Sequence, residues 1–305
     1  MPNYGANQGL CFGKWVAKMR IGILPYELRY VANLAQVPLS SLDWPNQYVP
    51  KEGVVADLDP NDHVVVYPSS KRLLKGFGAL VCKVDLLLAE PMAVQGRYYS
   101  NMWLLRHKFN NILCRYSHYA KRYKNVIQLP VVESWVDGNG VDYRAPKSKL
   151  CSIIVSTKKD LPGHALRHAV VDWSRSCGID LSVLGRGYEP FELKQEGLLP
   201  YHYSVVIENV QEADYFTEKL LDCILCGTMP IYWGAPNIGE YFDPSGMHLC
   251  LTYDDLVNTI ALLGSAATFA PTLDQRIAMN INRERALNLS QLKPRIVDAV
   301  YTHGS

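Results

Sequence analysis

The sequence predicts an α/β protein in which two Rossmann-like domains face a cleft. Three observations carry this. Short continuous apolar runs recur along the whole chain, amphipathic stretches of helix length lie between them, and one polar break falls near the middle. The strand-like runs of the first half are MRIGIL (19–24), HVVVY (63–67), VDLLLA (84–89), NILCR (111–115) and NVIQLP (125–130). Those of the second half are LCSIIVS (150–156), DLSVLG (180–185), YSVVIEN (203–209), TMPIYWG (228–234) and MHLCL (247–251). Between them lie segments such as HALRHAVVDWSRS (164–176) and DDLVNTIALLG (254–264). Continuously apolar strands must be covered on both faces, which the intervening helices do best in parallel sheets.

The break is WVDGNGVDYRAPKSK (135–149), rich in turn-forming residues and without an apolar period, and it reads as a linker. The predicted organisation is therefore an N-terminal domain over 1–145, a C-terminal domain over 146–290, and a helix over 291–305 that crosses back to the first domain. Residues 1–18 fit no element. A ligand of such a protein sits outside the carboxyl ends of the strands.

Composition narrows the partners. At 305 residues the chain is long enough for two domains, and 48% hydrophobic with 20% charged residues suits ordinary cores. A formal net charge of +2 argues against a bulk electrostatic grip on nucleic acid. The opening MPNYGANQGL lacks the features of a secretion signal and no apolar run reaches membrane-spanning length, so a cytoplasmic protein without a transmembrane segment is expected. The eight cysteines, Cys11 among them, then read as reduced thiols in the cores. Cys223 and Cys226 form a CxxC inside the helical run KLLDCILCG, and with no second CxxC or CxxH they favour packing over metal or redox work.

Other candidate motifs are weak. His164 and His168 have the HxxxH spacing of zinc ligands but no third ligand, which favours helix surface. Asp57-Leu58-Asp59 resembles a metal-binding DxD, yet it runs into Pro60-Asn61-Asp62 and reads as a turn. Neither GxGxxG nor GxxxxGK[ST] is present where a dehydrogenase or a P-loop NTPase would need it. Residues 106–124 hold six Lys or Arg and no acid, interleaved with Tyr116, Tyr119 and Tyr123. A solvated helix face is the favoured reading; peripheral contact with an anionic membrane surface or a polyanionic glycan is the other.

The segment that carries chemistry runs from Tyr201 to Asp243. A buried strand ends in Glu208-Asn209, and after a short polar loop a helix starts near Asp214 or Thr217, either of which can cap it. Gly227 suits the end of that helix. Lys219 stands in its first turn, where a cation opposes the helix dipole by about 0.3–1 kcal/mol. A phosphate held there would reverse the sign. On a helix, Tyr215, Glu218 and Lys219 would share one face. The same residues read equally as a solvated first turn.

The pattern E-N-x(5)-Y-x-T-E-K, formed by Glu208, Asn209, Tyr215, Thr217, Glu218 and Lys219, followed by CGTMPIYWGAP, resembles the donor-binding signature of the α1,3/4-fucosyltransferase family, a glycosyltransferase family 10-like pattern. Ser156-Thr157 at a strand end and Arg167 in the helix after it resemble a second family element, with Ser-Thr in place of the family's usual Ser-Asn. The resemblance covers about residues 150–245. It implies a GT-B type glycosyltransferase that moves fucose from GDP-fucose to a glycan hydroxyl with inversion, in glycan biosynthesis. By that resemblance Lys219 and Arg167 would hold the donor pyrophosphate, Asn209 and Tyr215 would hydrogen-bond phosphate or sugar, and Ser156 and Glu208 would also bind the donor. Glu218 would accept from ribose hydroxyls and face the sugar ring. Two such cations would leave no need for a metal ion, and no cofactor is implied. Glu90, after the strand VDLLLA and before Pro91, is the candidate general base; its alternative is a loop carboxylate beside a proline turn. Two rival readings stay open: another nucleotide sugar on the same fold, and a non-catalytic nucleotide-sugar or glycan-binding protein.

Overall fold

The computed structural model describes residues 19–45, 49–69, 77, 80–265 and 270–304. Cys11 and the rest of residues 1–18 lie outside the described residues. The first sheet joins β1 (Ile21–Ile23), β2 (His63–Val66), β3 (Lys83–Leu88), β4 (Ile112–Cys114) and β5 (Val126–Gln128) in that spatial order, every pairing parallel. Strands laid down in sequence order through right-handed crossovers put all their connections on one face. That face carries α1 (Met92–Ser100), α2 (Met102–Leu105) and α3 (Ser117–Arg122). Val64, Val66, Leu86, Leu88 and Ile112 pack there against Tyr99, Met102 and Leu105.

The second sheet has β6 (Lys149–Ile154), β7 (Ser182–Leu184), β8 (Tyr201–Ile207), β9 (Met229–Trp233) and β10 (His248–Leu249), also all parallel, in the order β10-β9-β8-β6-β7. Its alternating side chains bury two faces. Ile153, Val205 and Ile231 pack on α4 (Pro162–Ser176) and α6 (Tyr253–Ser265) through Val170, Val171, Leu256 and Ile260. Val206 and Tyr232 pack on α5 (Glu218–Leu225) and α7 (Leu273–Ser290) through Leu220, Leu221, Ile224 and Ala286. The chain leaves β6 toward β7 on one side and returns to β8 on the other. The strand order therefore reverses between β6 and β8, the place where open α/β sheets bind ligands at their carboxyl ends.

The last helix, α8 (Leu292–Gly304), packs on the first sheet. Leu292, Ile296 and Val300 recur at helical spacing and meet Ile21, Ile23, Val65, Leu87 and Ile127. They cover the face that the crossovers leave bare. Lys293 pairs with Asp43 at 3.0 Å and Arg295 donates to the Pro130 carbonyl at 2.9 Å.

Several local expectations give way to tertiary packing. Residues 106–124 do not form one solvated helix: β4 runs through their middle, and Arg115 is buried. The apolar Ile112-Leu113-Cys114 finds parallel partners on both sides, which outweighs the surrounding charge. His164 is buried rather than on the helix surface, with its Nδ1 3.0 Å from the Asp160 carboxylate. Asp57 and Asp59 serve local structure: Asp57 accepts from the Val54 N–H at 2.8 Å, and Asp59 pairs with Arg20 at 3.1 Å. Cys223 and Cys226 are buried and unbridged. Among the described residues no helix is long and apolar enough to cross a membrane.

Candidate active site

The site is built on the carboxyl end of β8. The Ile207 carbonyl accepts from Arg167 Nε at 3.0 Å and from its Nη2, while Asn209 Oδ1 accepts from Nη2 at 3.0 Å. The Asn209 carbonyl accepts from the Gly163 N–H at 2.9 Å. The start of α4 thus lies directly on the strand end. Only glycine allows this approach at 163, since a Cβ there would stand 1.7 Å from the Glu208 carbonyl oxygen. Arg167, one turn further on, is buried, with its guanidinium held on the end of β8. Burial lowers its pKa, with the Glu208 charge opposing the fall.

Glu208 is fully buried. Its carboxylate accepts from the Thr217 N–H at 2.8 Å and from the Thr217 hydroxyl at 2.7 Å, and lies 3.7 Å from Lys219 Nζ. Thr217 is the N-cap of α5, and its Oγ1 also accepts from Lys219 Nζ at 3.0 Å. Lys219 reaches Glu218 at 3.1 Å. On the other side of Glu218, Lys194 Nζ stands 4.0 Å away and pairs with buried Asp222 at 2.7 Å. Burial pushes the Glu218 carboxyl up, but the Lys219 and Lys194 ammonium groups outweigh it and hold its pKa below the usual carboxylate range. Glu218 is therefore an ionised acceptor at neutral pH.

Ser156, Arg167, Glu218 and Lys219 line one cavity of 520 Å³ at the carboxyl ends of β6, β7 and β8. The cationic residues 167 and 219 therefore face a common space. Glu208 and Asn209 stand behind it, fixing Thr217 with Lys219 and Arg167 respectively. Tyr215 does not share a helix face with Glu218 and Lys219, because α5 begins only at Glu218. Asp214 before it takes a positive φ of 64° and turns the chain, and the Tyr215 ring lies under the Arg115 guanidinium at 4.9 Å. Burial raises the Tyr215 phenol pKa, with Glu208, Glu218 and Glu90 adding to it against Arg115.

Glu90 follows β3, and its backbone is fixed on both sides: its N–H donates to Gln95 at 3.2 Å and its carbonyl accepts from the Tyr99 hydroxyl at 3.0 Å. Its half-buried carboxylate makes no hydrogen bond to a described residue. It lies outside the 520 Å³ cavity, on the first-sheet side. The two domains meet here. Arg115 donates to the carbonyls of Ala89, Val131 and Phe216, Tyr116 donates to Glu212, and the Ser117 N–H donates to Asp214 at 2.9 Å. A larger cavity, 670 Å³, opens at the opposite, amino ends of β6–β8 beside Lys149, Asp180 and His202. The cation pair and the strand-order reversal instead mark the carboxyl ends as the site. Among the described residues no cluster of three or more His, Cys, Asp or Glu is placed to hold a metal ion.

No family model matches the chain. An α-(1,3)-fucosyltransferase of Helicobacter pylori, FucT, is 34% identical over 73 residues, 23% of this chain and 15% of that protein. α-(1,3)-Fucosyltransferase B of Drosophila melanogaster is 27% identical over 142 residues, 44% of this chain and 30% of that one. Over these segments the chain is similar to α1,3-fucosyltransferases. It matches at most 30% of the length of these curated relatives. A UDP-forming α,α-trehalose-phosphate synthase of Burkholderia vietnamiensis superposes with a TM-score of 0.54 over 81% of this chain and 76% of that chain, at 9% identity. That likeness is one of fold, two parallel sheets in the GT-B arrangement.

Lys194 and Arg186 line the same cavity and are cations that motif reading missed. Lys194 lies in a short 3-10 turn far from any strand end in sequence, and nothing local marks it. Arg186 had a signal: it stands between Gly185 and Gly187, both at positive φ (116° and 92°), just after a strand. Such a Gly-x-Gly turn at a carboxyl end marks a close backbone approach.

Proposed function

We propose that the chain is an inverting glycosyltransferase that moves fucose from GDP-fucose to a glycan hydroxyl. The observation that carries this is the cavity shared by Lys219, beside a helix start, and Arg167, held on a strand end. In glycosyl transfer the sugar passes through an oxocarbenium-like state while negative charge grows on the departing diphosphate. Cations fixed beforehand stabilise that charge more in the transition state than in the ground state. Arg167 supplies a planar fork already oriented by Ile207 and Asn209, and Lys219 supplies a point charge. Glu218, ionised between two ammonium groups, accepts from hydroxyls of the donor.

The second domain, 146–290, binds the donor in this reading, and the first, 1–145, presents the acceptor, with the helix Leu292–Gly304 packed on the first sheet. Glu90 takes the acceptor proton as its oxygen attacks from the face opposite the nucleotide. A carboxylate with a fixed backbone and no hydrogen-bond partner among the described residues suits that task. Glu90→Gln should keep its affinity for GDP and lose about 10²–10⁴ in kcat. Turnover with GDP-fucose and a glycan acceptor, read by NMR of the product anomer, checks both base and inversion. Full activity in Glu90→Gln removes the base, and transfer from another nucleotide sugar alone replaces the donor.

A further inference from the structure

We infer that the outer face of α2 and α3, on the first domain, docks on an anionic lipid membrane surface. The inference is independent of the donor reading. From Pro91 to Val132 the chain holds seven Lys or Arg and no Asp or Glu, so the rest of the sequence carries more acids than bases. Arg115 is buried at the join between the domains. Arg106, Lys121, Arg122 and Lys124 are exposed and make no ion pair with a described residue. The fold gathers these four. Arg106 follows α2, Lys121 and Arg122 close α3, and the guanidinium groups of Arg106 and Arg122 both lie on the Tyr123 ring, at 5.3 and 5.4 Å. The Asn125 side chain donates to the Arg106 carbonyl at 2.9 Å, and the Tyr119 hydroxyl donates to the Tyr99 carbonyl at 3.2 Å. These bonds tie α3 and the turn after it to α1 and to the end of α2.

The same face carries apolar side chains. α2 turns Met102 and Leu105 into the core and leaves Trp103 59% and Leu104 44% exposed. An indole and an aliphatic side chain beside a group of cations match the two parts of a lipid interface. The apolar groups enter the boundary between headgroups and acyl chains, and the ammonium and guanidinium groups meet anionic headgroups. A polyanionic glycan would use the cations but give Leu104 no apolar partner, so the combination favours lipid. α2 and the end of α3 lie toward the amino ends of the strands they precede, β4 and β5, whereas the candidate active site stands at carboxyl ends. Docking on this face therefore leaves the donor cavity open.

Co-sedimentation of the whole chain with lipid vesicles tests this. The wild type should bind vesicles of phosphatidylcholine with about one third phosphatidylglycerol, should ignore phosphatidylcholine alone, and should bind more weakly as salt rises. The double variants Trp103→Ser with Leu104→Ser, and Lys121→Glu with Arg122→Glu, should each partition about tenfold or more less well. Lys158→Glu with Arg276→Glu, the same charge change at exposed positions of the second domain, should bind like the wild type. All six side chains are exposed, so melting temperatures should stay close to that of the wild type. Failure of the wild type to bind the anionic vesicles overturns the inference, and binding to heparin without binding to vesicles replaces lipid by a polyanionic glycan. Undiminished binding by the serine variant, or an equal loss in the second-domain control, overturns it as well. GDP affinity should be the same in every variant of this face, so none of these failures bears on the donor reading.

Discussion

Thr217 does three things at once. It caps α5, donates its backbone N–H and hydroxyl to the buried Glu208 carboxylate, and accepts from the Lys219 ammonium. The cation in the first helical turn, unfavourable against the dipole alone, is thereby offset before any ligand arrives. Removing the hydroxyl costs a cap, about 0.5–2 kcal/mol, and leaves a buried carboxylate short of a donor. Thr217→Ala should therefore lower stability by about 1–3 kcal/mol in a denaturant titration, while Thr217→Ser should stay near wild type. An unchanged midpoint for Thr217→Ala would show that the clamp adds nothing. The residues the motif placed on the donor divide in two by whether they line the cavity. Arg167 and Lys219 face the cavity, whereas Glu208 and Asn209 hold them in place, a distinction no one-dimensional pattern contains.

At the scale of elements, the ten strands were legible because each is a continuous apolar run, and the α5 start was legible from its cap. What stayed hidden depends on neighbours distant in sequence. His164 is buried because α4 begins against β8, Arg115 because it bridges two domains, and Tyr215 misses the helix because the chain turns at Asp214. The contact of α4 with β8 is the most exacting of these. Gly163→Ala would force the helix start off the Glu208 carbonyl and should lower both the melting temperature and GDP affinity, since Arg167 moves with it. Gly96→Ala, in α1, meets nothing within 4 Å and should be neutral or stabilising. Equal melting temperatures for the two variants would contradict the packing assigned to α4.

For the whole molecule, the join between the domains is polar and charged. Asp214 accepts from Ser117 across it, and from Asn237 and Tyr241 within its own domain. Burial pushes its carboxyl up, but these hydrogen bonds outweigh it and hold the pKa below its ordinary 3.8. A depressed folded pKa adds stability that is fully present above 3.8 and disappears as pH falls toward the lower folded value. Asp214→Asn, which tolerates the same backbone conformation, should melt below wild type at pH 7, and the gap should narrow as pH falls below about 4. A gap that does not change with pH would assign the loss to something other than the charge. The join sets where Glu90 stands relative to the cavity, but the grip on the diphosphate comes first. Its most direct test is calorimetric titration of GDP into wild type and Lys219→Ala, with melting temperatures recorded for both. A folded variant that binds GDP at least tenfold more weakly is the expected result. Equal GDP affinity in the two proteins would contradict the claim that the cations at this helix start hold the leaving group.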